Sequence, residues 1–133
     1  MNLSQYQNFV EKVTSQESND FKSFLNRIHD LENQKNVQIP LLMTSAVGLS
    51  SETGEFNEIV KKIIFQGKPL SQDNIFHMKR ELGDILWYWV NACRSLGLDP
   101  NDVLNENINK LSLRYPDLKF DVQKSEVRRP NDL

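Results

Sequence analysis

The sequence predicts an all-α protein, and three observations carry that expectation. Apolar residues recur at three- and four-residue spacing along most of the 133 residues. No segment alternates apolar and polar residues with the period of two that a strand requires. Proline and short polar capping residues stand at the starts of the periodic segments, and the turns between the longest are short, which makes those helices antiparallel neighbours in a bundle.

Leu3, Tyr6, Phe9, Val10 and Val13 mark a first amphipathic helix, and Phe21, Phe24, Leu25, Ile28 and Leu31 a second, across the polar stretch from Ser15 to Asp20. Glu32 to Gln38 is polar and reads as a loop; Pro40 then suits the first turn of a long helix reaching about Phe65, ended by Gly67, Lys68 and Pro69. The next helix starts at Ser71 or Asp73 and runs about seven turns, through Ile75, Met78, Leu82, Ile85, Leu86, Trp89, Val90, Cys93 and Leu96, to Gly97, with Ile85, Leu86 and Trp89 expected in the core. Asp99 and Pro100 cap and open a further helix, with Val103, Leu104, Ile108 and Leu111 expected to face inward, ended by Tyr115-Pro116. After Pro116 the expectation is coil. The chain therefore reads as a single domain: N-terminal helices over 1–39, a motif-bearing unit over 40–115 and a C-terminal tail over 116–133.

An apolar content of 38%, with 26% charged residues and a net charge of −2, describes a globular protein. No apolar run approaches the ~18 residues of a bilayer span, and the first residues lack the pattern of a secretory signal, so a cytoplasmic protein with no membrane partner is expected. The basic residues are scattered, which argues against duplex nucleic acid as a partner; the exception, Lys124, Arg128 and Arg129 in the tail, reads as a solvated end. Cys93 is the one cysteine and lies among apolar helix positions, as a buried thiol would.

The most informative feature is acidic. Glu52-Thr53-Gly54-Glu55 and Glu81-Leu82-Gly83-Asp84 each place two carboxylates at i,i+3, on one helix face and roughly 60° apart. If the two helices pack face to face, these acids repel unless a divalent cation lies between them, and oxygen-only donors favour Mg²⁺ or Mn²⁺. Charges on a helix are more often simply a solvated face, but here they recur among apolar neighbours such as Val47, Leu49, Phe56, Ile59 and Leu82. Gly54 and Gly83 cost helix stability within these segments, which suggests close helix approach, ligand access or ordinary tight packing. Glu58 lies six residues beyond Glu52, turned roughly 120° from it, and stays open as ligand, acceptor for a water or solvated group.

The run Gly48-Leu49-Ser50-Ser51-Glu52-Thr53-Gly54-Glu55-Phe56-Asn57-Glu58, then Glu81 to Tyr88, then Asn107-Ile108-Asn109-Lys110-Leu111 and Arg114-Tyr115-Pro116, resembles the MazG-type all-α nucleotide pyrophosphohydrolases over about Leu42 to Pro116. The resemblance implies Mg²⁺-dependent hydrolysis of a nucleoside triphosphate between its α and β phosphates, giving monophosphate and pyrophosphate. It implies Glu52, Glu55, Glu81 and Asp84 as metal ligands, and a homodimer or homotetramer. Carboxylate-held Mg²⁺ suits that chemistry, because anionic phosphates must be neutralised and a water activated.

Several residues are candidates for the nucleotide. Asn107 and Lys110, again i,i+3, suit phosphate or sugar; Lys61, Lys62 and Lys68 suit the triphosphate or are ordinary exposed charges. Trp87 suits a base or a subunit interface, and Tyr115 and Arg114 end their helix where a nucleotide could lie. His77 precedes Glu81 by four residues and either touches the site or stays at the surface. A di-iron centre is disfavoured, since neither Glu55 nor Glu81 is followed three residues later by histidine. A relative specialised for dUTP, phosphoribosyl-ATP or an alarmone, and a helical interaction module with a structural cation, are the alternatives.

Overall fold

In a computed structural model, residues 2–34 and 37–127 are described. They form seven helices and no strand: α1 (Leu3–Val13), α2 (Gln16–Asn19), α3 (Phe21–Glu32), α4 (Ile39–Phe65), α5 (Gln72–Ser95), α6 (Pro100–Arg114) and α7 (Val122–Glu126). Arg128 and Arg129 of the tail, and part of the loop after α3, lie outside the described residues. Among those described, no helix is long and apolar enough to cross a membrane.

Local chemistry sets most of the boundaries. The Asn2 side chain accepts from the Gln5 amide at 2.9 Å while the Gln5 side chain accepts from the Asn2 amide at 2.9 Å, a reciprocal cap that starts α1. Asp20 caps α3, Ser71 caps α5 and Asp99 caps α6, each accepting from a first-turn amide. Prolines occupy the first turns of α4 and α6. Gly67, at φ +69°, reverses the chain after α4, and the Lys68 amide donates back to the Lys62 carbonyl at 3.1 Å. Two short helices depart from expectation. α2 forms within the polar stretch after α1, and α7 forms in the segment expected as coil, where Asp121 accepts from the Lys124 amide at 2.9 Å.

Among the described residues, the antiparallel pair of α4 and α5 is the one extensive helix packing; α3 meets α4, and α6 meets α5, only locally. The Gln38 amide donates to the Ser95 carbonyl at 2.7 Å, tying the start of α4 to the end of α5. The buried seam is made of Ile39, Ser45, Gly48, Asn91, Cys93 and Ser95, mostly small residues. Its polar groups are satisfied within their own helices: Ser45 Oγ donates to the Leu41 carbonyl at 2.7 Å and Asn91 Nδ2 to the Trp87 carbonyl at 3.1 Å. Cys93 is buried as expected.

The large apolar residues are elsewhere. Leu82 and Leu86 on α5, and Leu104, Ile108 and Leu111 on α6, are exposed, not inward-facing. Every residue of α1 is exposed as well. Periodicity identifies a helix's apolar stripe correctly; it does not say that the same chain covers it.

Candidate metal centre

Two helices build the site. Gly48 on α4 lies under the Tyr88 ring of α5, which occupies the space a β-carbon would need. That close approach sets the register of the pair. One turn beyond Gly48 stands Glu52, and one turn before Tyr88 stands Asp84, so the acids are brought to the same level from opposite directions. Glu55 and Glu81 follow about one turn further on.

Carboxylate oxygens of Glu52, Glu55 and Glu81 converge, all within 4.8 Å of one another. Glu52 and Glu81 are half-buried and Glu55 is exposed. Asp84 is exposed and outside this trio, yet close enough for its charge to act on Glu52. Desolvation first, then the charges of Glu55, Asp84 and Glu81, and a hydrogen bond with the Glu81 carboxyl, raise the Glu52 pKa above the ordinary carboxylate range. The crowded carboxylates thus disfavour one another's charge, and a cation between them would relieve that repulsion. An oxygen-only donor set with mutual repulsion fits a hard divalent cation.

The neighbouring candidates separate on inspection. Glu58 turns to its own helix, pairing with Lys61 and, at 3.0 Å, with Lys62. The hydrogen bond from Lys61 and then that from Lys62 lower its pKa, the opposite of Glu52. Lys61 and Lys62 thereby neutralise a carboxylate of their own helix. His77 lies edge-on to Phe76, with ring centroids 6.4 Å apart. Trp87 is exposed and lies edge-on to Tyr88 at 4.8 Å, lining a groove along α5 together with Gly83 and Arg94. Asn107 is exposed and Lys110 half-buried on α6. Tyr115 packs against Phe120 at 5.9 Å, over an apolar hollow of about 310 Å³ that Ile108 and Leu111 also line. Lys124 pairs with Asp117 at 3.3 Å.

Neither Gly54 nor Gly83 serves a close approach, since a β-carbon on either would meet nothing within 4 Å. Gly48 has that role. Its only sequence signal is the absence of a side chain one turn before Glu52, which cannot distinguish it from the other helical glycines.

The family model described as the MazG nucleotide pyrophosphohydrolase domain matches residues 42–119. That stretch contains the acidic segments of α4 and α5, all of α6 and the Tyr115 corner. The chain is similar to the Gene 37 protein of Mycobacterium phage L5, at 35% identity over 69 residues, or 51% of this chain and 60% of that protein. The match thus spans less than two thirds of that relative's own length. No solved structure matches the chain significantly. With more than half of its residues under the family model, the chain belongs to the MazG nucleotide pyrophosphohydrolase domain family.

Proposed function

We propose that the chain hydrolyses nucleoside triphosphates between the α and β phosphates, releasing the monophosphate and pyrophosphate, with Mg²⁺ held by Glu52, Glu55 and Glu81. Mn²⁺, with similar oxygen preference, would serve in its place. The observation that carries this reading is the convergence of the three carboxylates from two helices within 4.8 Å, in a chain of the MazG family. Asp84, whose charge already reaches Glu52, completes the donor set by turning its exposed side chain inward. The cation supplies charge neutralisation of the phosphates and lowers the pKa of bound water.

The chain's own residues do the rest. Glu52 and Glu81, from facing helices, would both present carboxylate oxygens to the cation, and its charge would relieve the repulsion that raises the Glu52 pKa. The Gly48–Tyr88 approach keeps the two acidic segments level. Asn107 and Lys110 on α6 would take the phosphates or sugar, with Trp87 and Tyr115 offering rings to a base.

The working form is a homo-oligomer. A monomer of 15.5 kDa is expected to expose about 7,200 Å², whereas this chain exposes 10927 Å². Large apolar side chains lie outside a seam of small ones, the reverse of a self-sufficient core. A second copy of the chain covers that surface, and the work of the protein is done in the cytoplasm.

The experiment is product identification. Each of the ribo- and deoxyribonucleoside triphosphates is incubated with protein and Mg²⁺ and resolved by chromatography. Monophosphate with pyrophosphate is the expected outcome. Diphosphate with orthophosphate, or no product from any triphosphate, would overturn the reading.

A further inference from the structure

Among the described residues, Asn91 is the one buried polar side chain that holds an exposed charge. It is 5% exposed, in the seam of mostly small residues between α4 and α5. Its Nδ2 donates to the Trp87 carbonyl at 3.1 Å, and its Oδ1 accepts from Arg94 Nη1 at 2.8 Å. Only this orientation of the amide satisfies both partners, because the carbonyl takes a donor and the guanidinium an acceptor. The buried amide thus fixes the Arg94 head group relative to the turn that carries Trp87.

Arg94 has donors to spare. A guanidinium carries five N–H groups in a planar fork, and among the described residues no carboxylate pairs with Arg94. Gly83, Leu86, Trp87, Val90, Asn91 and Arg94 line an open groove of about 370 Å³. The Trp87 ring beside it is 57% exposed. An aromatic face next to a fixed pair of parallel donors fits a planar heterocycle with two neighbouring acceptors. The groove also adjoins the acid cluster. Trp87 follows Asp84 by three residues, roughly 60° round the helix, and Asn91, which holds the guanidinium, lies about 10 Å along α5 from Asp84.

We propose that this groove takes the base of the substrate and that the base is guanine, stacked on Trp87 with its O6 and N7 accepting from Arg94. The inference rests on the pyrophosphohydrolase reading above and names the substrate preferred at that site. Arginine donates two parallel hydrogen bonds to guanine O6 and N7, an acceptor pair that adenine interrupts with its amino group and that thymine and uracil lack. Cytosine offers a pair in O2 and N3, but a purine covers more of the tryptophan ring. Asn91 is a positioning residue, acting through Arg94 by setting where the fork points.

The test measures kcat/KM for pyrophosphate release from the ribo- and deoxyribonucleoside triphosphates of each base, and from 7-deaza-GTP, in which a C–H replaces N7. The wild type is expected to favour guanine over adenine at least ~10-fold in the same sugar series. It should lose about five-fold from GTP to 7-deaza-GTP, a comparison that needs no variant. Arg94→Gln and Arg94→Lys should both bring the guanine-to-adenine ratio within about three-fold, since lysine keeps the charge without the fork. Asn91→Leu, which releases the guanidinium, should lower the same ratio, and an unchanged ratio there removes Asn91 from its positioning role. Turnover without guanine preference, a preference for cytosine, equal turnover of 7-deaza-GTP, or a guanine preference that Arg94→Lys keeps overturns this inference and leaves the pyrophosphohydrolase reading standing. No turnover of any triphosphate overturns that reading and this inference together.

Discussion

The Tyr88 ring of α5 fills the space beside Gly48 of α4 that any β-carbon would occupy. This approach lies one turn from Glu52 and from Asp84, so the register of the acid cluster depends on a residue with no side chain. Gly48→Ala forces the ring or the helix away and is expected to cost about 1–3 kcal/mol, as overpacking does. Gly54→Ala has nothing within 4 Å to strike and gains about 1 kcal/mol of helix propensity. Urea denaturation of the two variants checks the contrast in sign.

Glu52 and Glu58 differ in the direction of their pKa shifts, and the difference is measurable. Glu52 is raised by desolvation and by Glu55, Asp84 and Glu81, so between the ordinary carboxylate range and its raised value the folded chain binds more protons than the unfolded. Its contribution therefore favours folding at lower pH and is lost as pH rises through the folded pKa. Glu58 is lowered by Lys61 and Lys62, so its contribution is present above the ordinary range and is lost as pH falls through the folded value. Carboxyl NMR titration of the metal-free protein should find Glu52 with the higher midpoint. Glu81→Gln should lower the Glu52 midpoint, and the reverse order in the wild type would contradict the cluster geometry.

Glu55→Gln and Asp84→Asn are expected to leave the helices intact by circular dichroism and to lower Mg²⁺-dependent turnover at least ~100-fold, the loss of about 3 kcal/mol of metal-derived stabilisation. Mg²⁺ should also raise the melting temperature of the wild type, because it binds only the folded cluster, and should do so less in each variant. Full activity in both variants would remove these residues from the ligand set.

Glu58→Gln tests the opposite expectation. Because Glu58 is turned to Lys61 and Lys62, outside the converging trio, the variant should keep turnover within about three-fold of wild type. A loss as large as that of Glu55→Gln would show that Glu58 leaves its lysines to join the site.

The parts of this fold that were legible in the sequence are those decided by local chemistry. Ser71, Asp99-Pro100, Pro40 and Gly67 mark helix ends through hydrogen bonds and backbone angles that involve only near neighbours. The facing of the acidic pairs was legible too, since i,i+3 spacing on two antiparallel helices leaves few arrangements. What depends on tertiary partners was not. Gly48, Gly54 and Gly83 look alike until Tyr88 is placed over one of them. Leu104 and Ile108 carry the correct period but no information about what covers them. Asp84 shares a face with Glu81 yet stays outside the trio, which spacing along a helix cannot foretell. The two short helices α2 and α7 each have fewer than two turns, below the length at which a period can be read.

The most direct test of the account is pyrophosphate release from nucleoside triphosphates by wild type and Glu81→Gln side by side, across a Mg²⁺ series and with EDTA. The account predicts wild-type release that rises with Mg²⁺, vanishes in EDTA and is lost in Glu81→Gln. Release that survives EDTA, or that Glu81→Gln supports as well as the wild type, would contradict it.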